Sequence, residues 1–160
     1  MPRSKGFTLI EALIVIFMIA ITSTFAVPGI MKWRSSAKLR GTAENLKGNL
    51  ELAKLKAIQA NGPVAINFSE KSYLIFLDTG PSKGLLDKDE LILKKISLPA
   101  GIKIDFAQTT FNDVANNWPK KTRFMGRGTA DAGTAVLVNS NGKKHITIST
   151  FGKITIKNPS

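Results

Sequence analysis

The stretch Lys5–Met31, K-G-F-T-L-I-E-A-L-I-V-I-F-M-I-A-I-T-S-T-F-A-V-P-G-I-M, decides how the rest of the chain is read. From Phe7 to Met31 it holds 25 residues and a single charge, Glu11. As a helix it would extend roughly 37 Å at about 1.5 Å per residue, enough to cross a hydrocarbon core of about 30 Å. The carboxylate lies inside the apolar run, where an ionised group costs on the order of 2.5–3.5 kcal/mol or more. Such a cost usually marks a function. Two plainer accounts compete. A secretory signal would explain Arg3 and Lys5 before an apolar core, with small residues near Thr24 and Ala26 as a cleavage site. Its apolar core is normally shorter and does not carry a carboxylate near its start. A plain membrane anchor would leave Glu11 as an accident near the interface.

The word G-F-T-L-I-E at Gly6–Glu11, with its short basic leader and Pro28 near the far end of the apolar run, resembles the N-terminus of type IV pilins and type II secretion pseudopilins. The resemblance implies cleavage after Gly6 by a prepilin peptidase and N-methylation of Phe7. It also implies assembly into a filament with other pilins or pseudopilins, driven by an inner-membrane assembly platform. A filament core of apolar helices excludes water, so a carboxylate buried there needs an opposite charge. The freed Phe7 amine of a neighbouring subunit would supply it in one axial register only. Glu11 is thus the expected assembly residue, and its presence favours a subunit with a neighbour above it.

A length of 160 residues at 43% hydrophobic content fits one anchor and one modest globular domain. The expected division is a leader at 1–6, a membrane and filament-core segment at 7–31, and a globular domain at 32–160. Losing Arg3 and Lys5 with the leader lowers the formal net charge from +12 to +10. Without cysteine there is neither a disulfide staple nor a thiolate metal site. Flanking charges give a conflicting topology. Lys32, Arg34, Lys38 and Arg40 follow the apolar run closely, and the positive-inside rule would place the globular part in the cytoplasm. The resemblance implies the reverse, a single-pass inner-membrane protein with its domain in the periplasm.

Helical spacing continues past the apolar run. Leu39, Ala43, Leu46, Leu50, Ala53, Ala57 and Ala60 alternate steps of four and three, and Leu52, Leu55 and Ile58 would widen that face. Asn61, Gly62 and Pro63 supply a stop, so a helix is expected from near Phe7 to Ala60, with its amphipathic part over 32–61. Pro28 and Gly29 should interrupt it, with hydroxyls of Thr22, Ser23 and Thr24 available to the freed carbonyls. The alternatives at Pro28 are a simple kink or, by the resemblance, a stretch that unwinds on assembly.

From Val64 the period becomes two. Val64–Phe68, Tyr73–Asp78, Leu91–Ser97, Ile102–Phe106, Thr134–Val138, Lys144–Ser149 and Lys153–Lys157 read as strands between turn residues. One long helix followed by antiparallel strands over 63–160 is an α+β chain. The run A-K-L-K-A-I-Q-A-N-G-P-V-A-I-N-F at Ala53–Phe68 resembles the GspH/FimT branch of minor pseudopilins. So does the closing pattern of Phe124, Gly126, two strands and a turn at Gly152–Lys153.

An alternative partner is DNA. Alternation places His145, Thr147, Ser149, Lys153, Thr155 and Lys157 outward if Ile146, Ile148, Ile154 and Ile156 face the core. With Lys143 and Lys144 flanking the turn at 139–142, Lys143, Lys144, Lys153 and Lys157 would form a ribbon able to neutralise phosphates. The same lysines equally serve as guards on an edge hairpin. DNA-binding members of the branch carry Gly-Arg-x-Arg in the last strand. Here the matching residues are Gly152, Lys153, Ile154 and Thr155, so the second basic position is missing.

Other chemistry finds little support. Asp87, Asp89 and Glu90 lack the glycine and terminal carboxylate of a Ca²⁺ loop. Gly126, Gly128 and Gly133 lack phosphate-loop spacing. His145, the one histidine, has no assignable partner. The chain is expected to be structural rather than enzymatic, with no cofactor and no metal.

Overall fold

A computed structural model describes residues 6–80, 84, 86, 90–111 and 120–158. The chain divides into two units, one up to Ser35 and one from Ser36 onward. Helix α1, Leu9–Gln59, contributes to both.

In the first unit the helix is unbroken at Pro28, contrary to the expected interruption. Nor do the upstream hydroxyls serve the carbonyls that Pro28 frees. Thr22 donates to the Met18 and Ile19 carbonyls and Thr24 to that of Ala20. Each hydroxyl turns back one turn, the usual habit of threonine inside a helix.

In the second unit α1 buries Leu39, Ala43, Leu46, Leu50, Ala53 and Ala57, the stripe its spacing predicts. Leu52, Leu55 and Ile58 do not widen it and stay 43–57% exposed. Ala60 falls outside the helix because the chain has already begun to cap. Asn61 takes a left-handed φ of 47°. Its N–H reaches the Ile58 carbonyl and that of Gly62 the Ala57 carbonyl, a Schellman ending with Asn in place of the usual glycine.

Among the described residues eight strands follow: β1 Val64–Phe68, β2 Ser72–Leu77, β3 Ile92–Ser97, β4 Lys103–Ile104, β5 Lys120–Phe124, β6 Gly133–Asn139, β7 Gly142–Ile148 and β8 Ile154–Lys157. They form two antiparallel four-stranded sheets, ordered β3-β2-β1-β5 and β4-β6-β7-β8. Strand β4 is shorter than expected because the chain turns away just after Asp105, whose N–H still donates to the Val136 carbonyl at 2.8 Å while its carboxylate accepts the Ala107 N–H in a tight Asx turn. Strand β5, K-K-T-R-F, was not expected, since Phe124 is its one apolar residue.

A single core joins the helix stripe to Val64, Ile66, Phe68, Ile75 and Phe124 of the first sheet and Ala135, Leu137, Ile146, Ile148 and Ile154 of the second. Phe68 and Phe111 stack at 5.2 Å within it. Strand β1 is buried on both faces, Ala65 joining Leu74 and Phe76 in a second cluster beyond the sheet. Asp78 secures that side. Its carboxylate accepts the Gly84 N–H at 2.8 Å and faces Arg123 Nη1 at 3.5 Å, while Arg123 Nε reaches Asp131 at 3.1 Å.

Candidate functional site

The N-terminal segment is built by a cap. Thr8 precedes the first helical residue, and its Oγ1 accepts the Glu11 N–H at 3.3 Å while its carbonyl accepts from Ala12. Thr8-x-x-Glu11 is the signature of a capping box, a local signal the sequence reading passed over. It fixes the start of α1 two residues after Phe7. Glu11 thereby sits in the first turn, where the helix dipole favours a negative charge. The carboxylate is exposed, as is every side chain from Phe7 to Met31. Helix α1 is long and apolar enough to cross a membrane. Gly6 lies outside the helix in an open position, where an added Cβ would meet nothing within 4 Å.

The C-terminal hairpin distributes its lysines over two faces. Pairing of His145 with Val136 and Lys157 puts Lys143, His145, Lys153 and Lys157 on the face away from the core. Lys144, opposite Leu137, lies on the other face and donates to Asn158 Oδ1. Three of the four candidate lysines therefore share a face, and those three are exposed. His145 is half-buried rather than freely outward, and its Nε2 has no hydrogen-bond partner among the described residues.

The glycines singled out in the sequence have packing roles. Gly126 lies against the helix ending, where a Cβ would fall 2.8 Å from the Asn61 carbonyl carbon. Gly133 lies under the Phe111 ring. Gly128 and Gly152, both at positive φ, meet Lys54 of α1, whose Nζ donates to the Gly152 carbonyl at 3.0 Å. The helix end and two turns are thereby locked together. Of the acidic cluster, Asp87 and Asp89 lie outside the described residues, and Glu90 accepts the Gly80 N–H. Among the described residues no group of three or more His, Asp or Glu could hold a metal ion.

A capped apolar helix, its lower half packed on two antiparallel sheets, defines a pilin-type subunit. Residues 42–152 match the family model for type II transport protein GspH, and residues 1–27 match the prokaryotic N-terminal methylation motif. The chain belongs to the GspH family of minor pseudopilins and pilins. Over 46 residues it is 41% identical to the type IV major pilin protein PilA of Myxococcus xanthus, a stretch covering 29% of this chain and 21% of that protein. The chain thus spans about a fifth of the length of that curated relative. Three solved structures share the fold. The minor pseudopilin EpsH from the type 2 secretion system of Vibrio cholerae superposes with a TM-score of 0.58 at 12% identity, covering 77% of this chain and 98% of that one. E. coli GspH gives 0.58 at 16%, covering 76% and 89%. The Pseudomonas aeruginosa type IV minor pilin FimU gives 0.54 at 18%, covering 76% and 98%.

Proposed function

We propose that this minor pseudopilin or pilin is cut by a prepilin peptidase between Gly6 and Phe7, N-methylated at Phe7, and drawn by an inner-membrane assembly platform into a pseudopilus or type IV pilus. Before assembly the apolar segment holds it in the inner membrane, with residues 32–160 in the periplasm. Hydrolysis of the Gly6–Phe7 peptide bond leaves a carboxylate on Gly6 and an amine on Phe7. In the filament that amine pairs with Glu11 of a neighbouring subunit, and Pro28 marks where α1 gives way on assembly. The observation that carries this reading is the single carboxylate in the first turn of an otherwise uncharged, wholly exposed apolar helix segment.

The test is the intact mass and N-terminal sequence of the protein from cells with and without an active prepilin peptidase. A chain beginning at methylated Phe7 only when the peptidase is present is the expected result. A chain beginning near Val27, or still at Met1, would remove the reading and with it the role of Glu11. Given correct processing, Glu11→Gln should leave the protein in the membrane yet exclude it from sheared filaments.

The alternative partner, DNA, would be held by Lys143, Lys153 and Lys157 on one face of the hairpin. Lys144 points to the other face, and nothing further in the site favours phosphate over solvent. We therefore assign no DNA-binding role.

A further inference from the structure

Strand β3 ends its sheet, so among the described residues one of its edges is unpaired. Register determines which groups that edge presents. The Leu98 N–H bonds to the Lys71 carbonyl, and this pair is in phase with Ile96–Tyr73 and Lys94–Ile75. Those residues turn their backbone groups toward β2. The intervening Lys95 and Ser97 direct N–H and C=O to the open edge, a template for another strand.

A cleft of about 440 Å³ runs beside that edge, between α1 and β3. Gly48 lies mid-helix on its wall, at a cost of roughly 1 kcal/mol relative to Ala, and a Cβ there would meet nothing within 4 Å. The cleft's polar floor is a relay in which Asn49 Nδ2 donates to the Tyr73 hydroxyl at 2.7 Å and Lys94 Nζ donates to Asn49 Oδ1 at 2.9 Å. At Leu98 and Pro99 it joins a second, largely apolar hollow of about 700 Å³ that reaches Lys71 and Lys103. Among the described residues lining the two hollows, Glu44 is the one carboxylate, set against Lys71, Lys94 and Lys103. Lys103 is engaged with Glu70 at 3.5 Å. Among the described residues Lys71, Lys94 and Lys95 make no ion pair.

We propose that this edge and cleft dock an extended acidic segment of a partner protein, added to β3 as a further strand. Backbone bonds to Lys95 and Ser97 would hold it, in the manner of strand addition. Every second side chain of the added strand points inward, over Gly48 and toward the Lys94 ammonium. Lysines repel an approaching basic strand and attract an acidic one, so the residues that guard this edge also select its partner. Docking at this edge does not require filament assembly.

The experiment uses the full-length protein in detergent and dye-labelled decapeptides, one alternating glutamate with threonine and one alternating lysine with threonine, read by fluorescence anisotropy. The acidic peptide should bind saturably and at least about tenfold more tightly than the basic one, a difference of about 1.4 kcal/mol. Gly48→Phe fills the cleft, and Ser97→Pro removes an edge N–H without touching the Leu98–Lys71 bond. Each should weaken binding about tenfold or more while the thermal melt stays cooperative. Lys94→Glu leaves the backbone intact and should reverse the peptide preference. No saturable binding up to about 1 mM peptide would overturn the proposal, as would equal binding by all variants, which reduces it to attraction by a chain of net charge +12. Self-association abolished by Ser97→Pro would also overturn it, by assigning the edge to a second copy.

Discussion

Substituting glycines one at a time separates backbone strain from steric contact. Gly152 sits in the β7–β8 turn at a φ of +68°, its N–H bonded to the Ser149 carbonyl at 2.8 Å. A Cβ there would lie 2.3 Å from the Gly128 carbonyl oxygen and 3.0 Å from Lys54 Nζ. The left-handed conformation costs a non-glycine residue roughly 1–2 kcal/mol. The clash with Gly128 is with backbone, so the turn itself must shift, adding about 1–3 kcal/mol and straining the Lys54 bond. Gly152→Ala should therefore destabilise by about 2–5 kcal/mol. Gly101 supplies the control. Its φ is +84° but the space around it is open, so Gly101→Ala should cost only the backbone part, roughly 1–2 kcal/mol. Gly48→Ala, helical and uncrowded, should stabilise by about 0.5–1 kcal/mol. Urea unfolding of the detergent-solubilised chain, followed by near-UV circular dichroism with unchanged slope, reads all three. Adding Lys54→Ala to Gly152→Ala should bring no recovery, because the closest obstacle is the Gly128 carbonyl. If Gly152→Ala costs no more than Gly101→Ala, the close approach of the two turns is refuted.

Asn67 is fully buried, and among the described residues neither of its carboxamide atoms has a hydrogen-bond partner. Asn67→Leu should thus raise stability by about 1–3 kcal/mol, and a loss in the same urea assay would mean the carboxamide is satisfied. Asp78→Ala leaves Arg123 with Asp131 alone and orphans the Gly84 N–H, so it should cost about 1–3 kcal/mol. An effect below about 0.5 kcal/mol, the level of a surface substitution, would contradict that. Burial raises the Tyr73 hydroxyl pKa above the usual 10.0 of a tyrosine, with the Asn49 hydrogen bond acting the other way. The folded state then holds a proton that the unfolded chain releases, so this stability is complete below about pH 10 and lost as pH rises through the folded value. Thermal melts across that range should fall more steeply for the parent than for Tyr73→Phe; identical slopes would exclude the linkage.

Much of the fold was legible because period reports burial. Leu39 through Ala57 repeat at helical spacing and are, with Thr42, the residues α1 buries. Leu52, Leu55 and Ile58 are just as apolar, yet remain exposed. Composition cannot reveal how wide a face the sheets cover. Strand β5 was illegible for the converse reason. Its inward Thr122 is satisfied by the Asp131 carbonyl and its outward Arg123 by Asp78 and Asp131, so tertiary partners make a strand from residues with weak strand preference. The double burial of β1 was equally hidden, since V-A-I-N-F carries a polar residue at a position with no solvent exposure. Pro28 misled because a missing N–H costs a helix one bond, and α1 continues around it.

The N-terminal methylation motif was legible because its residues are local, Gly6, Phe7 and Glu11 lying inside six positions, whereas the Thr8 cap within the same stretch was passed over. What it does energetically follows from comparing magnitudes. Fifteen large apolar side chains from Phe7 to Met31 are exposed, and burying each contributes on the order of 1.5–3 kcal/mol. Placing one carboxylate in an apolar interior costs roughly 2.5–3.5 kcal/mol. The apolar side chains outweigh Glu11 several times over, so the carboxylate cannot be what holds the segment in a membrane or a filament. In the proposed filament its cost would be removed in only one relative position of two helices, the one that brings an amine alongside. On that reading affinity resides in the aliphatic side chains and register in Glu11. On the filament reading, Glu11→Gln should therefore alter which subunits stack more than how strongly the segment partitions into detergent or lipid. A large change in partitioning with unchanged stacking would reverse the two roles.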